Sequence, residues 1–382
     1  MNSPRPAGLV AVAAAAVLLV CAAPAGAGPV TAPGSPYSAT TAVGVHNAYE
    51  QHTYEYLADA LDSGAGLIEL DVWTNSFDVV PGAVAAVTAG ADPSNGGSTD
   101  ALVERLNDSA VSDWRVAHEN PVANANNCAN ATEPDQLRAM PRDQDLAGCL
   151  ADLRVWHDAN PGHRPVMVKI EMKDGFNAPG GLGPREFDAL LDERLGSALF
   201  RPSDLTGGAP VTLDEAVRTD GWPGRGELAG KFIIELIPGT VEQKNPADPL
   251  WTDVEYATHL RDLAAAGALE QAVAFPAVLR AEAGDPRQVR YPDASIRPWF
   301  VIFDGDASAF VSGGIDTAWY RDRGYLLVMT DAHNVAPAID GISPPEAAAL
   351  ARLDELATAN ASVVTSDWHP LPGVLSRVVP RG

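Results

Sequence analysis

Four stretches of the chain place ionisable side chains at the ends of apolar runs. They are Val-Gly-Val-His46-Asn47, Leu-Ile-Glu69-Leu-Asp71-Val-Trp, Trp-Arg-Val-Ala-His118 and Val-Met-Val-Lys169-Ile-Glu171-Met-Lys173. In an extended segment, period-2 alternation puts Glu69 and Asp71 on one face and Ile68, Leu70 and Val72 on the other. Lys169, Glu171 and Lys173 alternate in the same way with Val168, Ile170 and Met172. Buried carboxylates without compensation are costly, so something cationic must sit among them. Lys169 supplies one positive charge as an ion-pair partner, but it cannot neutralise Glu69, Asp71 and Glu171 together. A divalent ion can. The set Asn47, Glu69, Asp71 and Glu171 offers only oxygen, which suits hard ions such as calcium or magnesium better than zinc. His46 and His118 then stay outside the metal shell, and an imidazole with an ordinary pKa of about 6.5 suits proton transfer near neutrality.

The elements that must position these groups are legible as alternating patterns. Apolar, β-rich runs occur at 42–45, 67–73, 114–117, 166–170, 232–237, 299–303, 325–329 and 362–365. Helix-like segments fall between several of them, at 54–61, 146–159, 184–195, 253–265 and 344–359. Alternation of this kind predicts a parallel sheet, and eight runs predict a (β/α)8 barrel. A doubly wound open sheet is the alternative, but no G-x-G-x-x-G follows the first run. Segment 272–279 competes with 299–303 for the sixth strand. A barrel carries its catalytic groups at the C-terminal ends of its strands, where all four polar stretches fall. The connections 74–113 and 119–144 are long and follow strands, which places them on the same face. Glycines 90, 96 and 97 permit turns in the first of these. His333 and His369 also follow late runs, beside Asp331 and Asp367, and are read as structural rim residues.

Residues 1–27 read as a secretory signal: Arg5 near the start, an apolar run, then Ala25-Gly26-Ala27. Residues 28–382 are expected to form a single barrel domain that is secreted, monomeric and without a transmembrane anchor. Cys128 and Cys149 are the two cysteines left after the signal, and in an oxidising compartment they suggest one disulfide. The formal net charge of −24, with only four lysines, argues against nucleic acid as a partner, since polyanions need a basic face. It also sits poorly with an anionic lipid surface, where Trp73, Phe77 and Trp114 are expected to add apolar contact.

Taken together, these stretches resemble the bacterial calcium-dependent phosphoinositide phospholipases C. The matching motifs are V-G-V-H-N-A-Y (43–49), I-E-L-D-V-W (68–73), W-R-V-A-H (114–118) and P-V-M-V-K-I-E-M-K-D-G-F (165–176). G-W-P (221–223), K-F-I-I-E-L (231–236), Y-L-L-V-M-T-D-A (325–332) and V-V-T-S-D (363–367) complete the set. The resemblance implies a catalytic barrel, a Ca2+ cofactor rather than Mg2+, and a phosphoinositide lipid met transiently at a membrane surface. It implies His46 and His118 as the catalytic pair and Asn47, Glu69, Asp71 and Glu171 as calcium ligands. Lys173, with Lys169, is implied in contact with substrate. Val45 and Glu235 depart from the family pattern, where a small hydroxyl residue and Asp are usual. Two other readings remain at this stage. A glycerophosphodiester phosphodiesterase shares the E-x-D strand, but Asn-Ala-Tyr follows His46 here in place of Arg-Gly. A non-catalytic calcium-dependent lipid-headgroup-binding protein would not need both histidines.

Overall fold

The computed structural model describes residues 34–74, 114–119, 123–246, 248 and 250–382. The leader at 1–27, Phe77 and glycines 90, 96 and 97 lie outside the described residues. The alternating runs become β1 (Thr40–Val45), β2 (Leu67–Trp73), β3 (Arg115–Val116), β4 (Val166–Met172), β5 (Phe232–Pro238), β6 (Ala274–Leu279), β7 (Ile302–Asp306), β8 (Leu326–Thr330), β9 (Val363–Ser366) and β10 (Val378–Pro380). Eight of them form a parallel ring in the order β1-β9-β8-β7-β6-β5-β4-β2, and the pairing of Gly44 with Leu67 closes it back onto β1. Helices stand between successive ring strands, the longest being Leu146–Ala159, Pro184–Leu195, Thr252–Ala265 and Glu346–Thr358. This is the expected (β/α)8 barrel.

Two of the eight expected strands need correction. The run at 114–117 does not join the ring: Arg115–Val116 pairs antiparallel with the end of β2 (Val72↔Val116) and stands outside the barrel. Segments 272–279 and 299–303 do not compete, because β6 and β7 are neighbouring ring strands (Ala277↔Ile302). The eighth strand is therefore supplied by β6, and β3 becomes a bracket on the barrel mouth. Its two residues were read as a barrel strand because an apolar run ending in a polar residue looks the same in either place.

The apolar face of β2 explains its position. Ile68, Leu70 and Val72 are fully buried against the surrounding helices, each contributing about 1.5–3 kcal/mol relative to exposure. That leaves Glu69 and Asp71 pointing into the ring. β4 pairs with β2 so that Glu69 lies opposite Lys169 and Asp71 opposite Glu171, and β5 sets Glu235 opposite Lys169. Gly239, just past β5, lies so close to β4 that a Cβ there would sit 2.3 Å from the Cα of Lys173. The missing side chain lets the β5 connection pack directly over the end of β4.

Candidate active site

Each polar group arrives at the mouth by a local device. His46 and Asn47 leave the end of β1, where Asn47 takes a left-handed conformation (φ 50°) that Asn tolerates better than most residues. The Asn47 backbone N–H points at Glu69 Oε2, 3.4 Å away. His46 Nε2 is 3.7 Å from the same oxygen, and its Nδ1 lies 3.0 Å from Asp367 Oδ1. Asp367 directly follows β9, so the first and last strands of the ring meet in a His–Asp pair.

The carboxylates converge as the alternation requires. One ligand oxygen each from Glu69, Asp71 and Glu171 lie within 4.8 Å of one another. Lys173 Nζ touches two of these groups, at 2.9 Å from Asp71 Oδ2 and 3.2 Å from Glu171 Oε1. Thr240, next to Gly239, donates its N–H to Glu171 Oε1 at 2.9 Å. Asn47 Oδ1 and Asp71 Oδ1 are buried without a hydrogen-bond partner. Lys169 is buried lower in the ring, 3.4 Å from Glu69 Oε1 and 2.9 Å from Asp304 Oδ2.

Electrostatics divide these groups. Burial, then Glu171 and Glu69, push Asp71 up to about 7. Burial also works against the charge on Glu69, but Lys169 and His46 outweigh it and hold that carboxyl below its ordinary value. Burial disfavours the His46 imidazolium, yet Glu69 and the bond to Asp367 outweigh it and raise His46 to about 9. Burial likewise opposes the Lys173 ammonium, and Asp71 and Glu171 overcome it and raise its pKa. The cluster is an acidic pocket short of positive charge.

His118 reaches the mouth by a separate route. Ala117 donates its N–H to the Asp71 carbonyl at 3.3 Å, and Trp73 Nε1 donates to the Ala117 carbonyl at 2.6 Å. These bonds lock β3 beside the acidic cluster and hold the residue that precedes His118. The His118 side chain is partly exposed, with Nδ1 3.8 Å from Glu119. Asn126, buried behind it, donates to the Val116 and Gln144 carbonyls, while the neighbouring Asn127 donates to the Ala48 carbonyl of the β1 loop. Cys128 is disulfide-bonded to Cys149 on the helix Leu146–Ala159.

Some readings of the sequence change here. Trp73 and Trp114, expected to offer apolar contact to lipid, are buried, Trp114 against Phe176 and Phe187. His333 bonds Ser366 Oγ at 3.0 Å and His369 packs against Tyr54, and both lie near enough to Asp367 to help hold its carboxyl below the ordinary value. Sequence patterning does not mark Asp367, Asp304 or Glu235 as partners of site residues. Asp367 carries a usable signal, an acid directly after the last apolar run. Asp304 was hidden by the uncertainty over which segment formed the sixth strand. No helix among the described residues is long and apolar enough to cross a membrane.

Comparison with known proteins agrees with this geometry. Residues 136–254 match the family model of Ca2+-dependent phosphoinositide phospholipase C. The structure of a Ca2+-dependent phosphatidylinositol-specific phospholipase C from Streptomyces antibioticus is 57% identical, over 91% of this chain and 99% of that one, with a TM-score of 0.80. A calcium-dependent phosphoinositol-specific phospholipase C from a Gram-negative Pseudomonas species shares the fold at 18% identity, over 91% and 96% of the two chains, with a TM-score of 0.61. No curated protein matches the chain. With the barrel in place, near-complete coverage at 57% identity is decisive: the chain belongs to the Ca2+-dependent phosphoinositide phospholipase C family.

Proposed function

We propose that the chain is a secreted, calcium-dependent phospholipase C that cleaves the phosphodiester of phosphatidylinositol or its phosphorylated forms, releasing diacylglycerol and a cyclic or open inositol phosphate. The observation that carries this reading is the convergence of Glu69, Asp71 and Glu171 within 4.8 Å, beside a histidine bonded to Asp367. On this reading residues 1–27 are removed on export, and 28–382 act as one monomeric catalytic unit that meets the lipid transiently.

The donor set fits calcium. Asn47 Oδ1 and Asp71 Oδ1 are buried without partners, which is expensive unless something cationic completes them. Asn47, Glu69, Asp71 and Glu171 would hold the ion with oxygen alone, as hard cations prefer. When bound, calcium supplies a Lewis acid that eases deprotonation of the inositol 2-hydroxyl and offsets charge developing on the phosphoryl oxygens.

The chain's own residues supply the rest. His46, oriented through Nδ1 by Asp367, takes the proton of the 2-hydroxyl as that oxygen attacks phosphorus. His118 gives a proton to the glycerol oxygen as its bond to phosphorus breaks. Water can open the cyclic product with the two roles exchanged. Lys173, at the same rim, neutralises a non-bridging phosphate oxygen. Lys169, buried between two carboxylates, acts as the ion-pair partner of Glu69 rather than as a contact to lipid.

Phosphorus NMR tests the proposal on phosphatidylinositol vesicles and on a soluble glycerophosphodiester, with calcium and with a chelator. Calcium-dependent loss of the phosphatidylinositol signal is expected. Turnover of the glycerophosphodiester alone would replace this substrate assignment, and full activity in chelator would remove the metal.

A further inference from the structure

Beneath the mouth lies a layer of buried charge to which the reaction assigns no task. Asp304 comes from β7 and Lys169 from β4, three places apart in the ring, so their 2.9 Å contact crosses the barrel interior. The same ammonium lies 3.4 Å from Glu69 Oε1. The other Glu69 oxygen, Oε2, is turned toward the Asn47 N–H and His46 Nε2. Lys169 therefore claims one oxygen of Glu69 from below and leaves the other facing the mouth.

A lysine is a flexible four-carbon stem carrying a point charge, and one partner does not fix its position. Asp304 provides a second anchor on a rigid strand, and all three side chains are almost wholly buried. We propose that Asp304 is a positioning residue for the cation site: it anchors Lys169 from the far side of the barrel and, through it, sets the orientation of the Glu69 carboxylate. This rests on the metal reading given above, and it concerns the shell behind the ligands. Such partners orient the ligand groups, and their loss typically weakens metal binding by about 10–100-fold.

Glu235 provides an internal control. It pairs in register with Lys169, is fully buried, and neighbours Asp304. Burial and the adjacent Asp304 push its carboxyl well above the usual range, which favours the neutral form. Replacing it with Gln keeps its size and mimics that neutral form.

The test is calcium calorimetry on the parent protein, Asp304→Asn and Glu235→Gln, with melting in chelator to establish that each is folded. Asp304→Asn is expected to bind calcium about 10–100-fold more weakly and to regain turnover at saturating calcium. Glu235→Gln is expected to bind as the parent does. If the asparagine variant does not fold, Asp304→Glu, which keeps the charge but moves it by one methylene, must show weakened binding instead. Parent-like affinity in a folded Asp304 variant, or equal weakening in Glu235→Gln, overturns the proposal. Absence of calcium binding by the parent brings down the metal reading itself, and that result is separate from any difference among variants.

Discussion

An imidazole with one nitrogen against a carboxylate has that nitrogen committed and the other available for proton transfer. His46 is held this way, with Nδ1 3.0 Å from Asp367 and Nε2 toward Glu69. On the proposed mechanism, replacing either His46 or His118 with Ala removes a proton-transfer group and should lower turnover by about 10²–10⁴-fold; the partly exposed His118 should leave the melting temperature little changed, whereas loss of His46, bonded to Asp367, should lower it. Asp367→Asn should act differently. A hydrogen bond to a charged group contributes about 1.5–3 kcal/mol, so a loss of roughly 10–150-fold in turnover is expected. The bond to Asp367 raises the His46 pKa, and removing it lowers that pKa. A base must be neutral to accept a proton, so the acid limb of the pH–rate profile should shift to lower pH. A uniform loss of rate with an unmoved profile would mean that Asp367 does not act through His46.

At the scale of elements, both histidines depend on one short segment. Asn126 bonds the β3 backbone that precedes His118, and Asn127 bonds the β1 loop that follows His46. The next residue, Cys128, is tied by the disulfide to the helix Leu146–Ala159. Closing a loop of this size contributes about 3 kcal/mol in the chain-entropy model. The Cys128→Ser, Cys149→Ser double variant should therefore melt several degrees lower, and an unchanged melting point would show that the bond constrains little. None of this bracket was legible in the sequence beyond its two cysteines, because asparagine hubs carry no periodic signal. The ring strands β2 and β4 were legible because each repeats apolar residues at period 2 around the charges it presents, and β5 was legible as a continuous apolar run broken only by Glu235. β3 misled for a physical reason. Its residues are as apolar as a barrel strand, and only the antiparallel register with Val72 and Trp73 shows that it lies outside. The acids of Glu69, Asp71 and Glu171 could be read from alternation within a strand. The Lys169–Asp304 contact could not, because it depends on which strands face each other across the ring.

At the scale of the whole molecule, a formal charge of −24 must be reconciled with buried acids that resist ionisation. Burial pushes Glu242 up to about 9, Glu255 and Asp71 up to about 7, and Asp253 and Asp152 up to about 6. Each of these carboxyls binds its proton more tightly folded than unfolded. The stability it contributes is therefore present below its unfolded pKa and is lost as pH rises through the folded value. His46, raised to about 9, has the same sign. His157 and His163 oppose the trend, because burial lowers both and their stabilisation is lost as pH falls. The acids titrate across the window from about 6 to 9, and self-repulsion among surface acids grows in the same direction. In chelator, the protein should melt higher at pH 6 than at pH 9. If the proposed ligand set holds calcium, the ion should reverse part of this loss, because it would bind the ionised form of Asp71 and so be linked to proton release. The calcium-induced rise in melting temperature should accordingly be larger at pH 9 than at pH 6. Calorimetric scans at the two pH values, each with and without calcium, decide the matter. A calcium effect that is larger at pH 6 would mean that the acidic cluster does not bind the ion through ionised carboxylates.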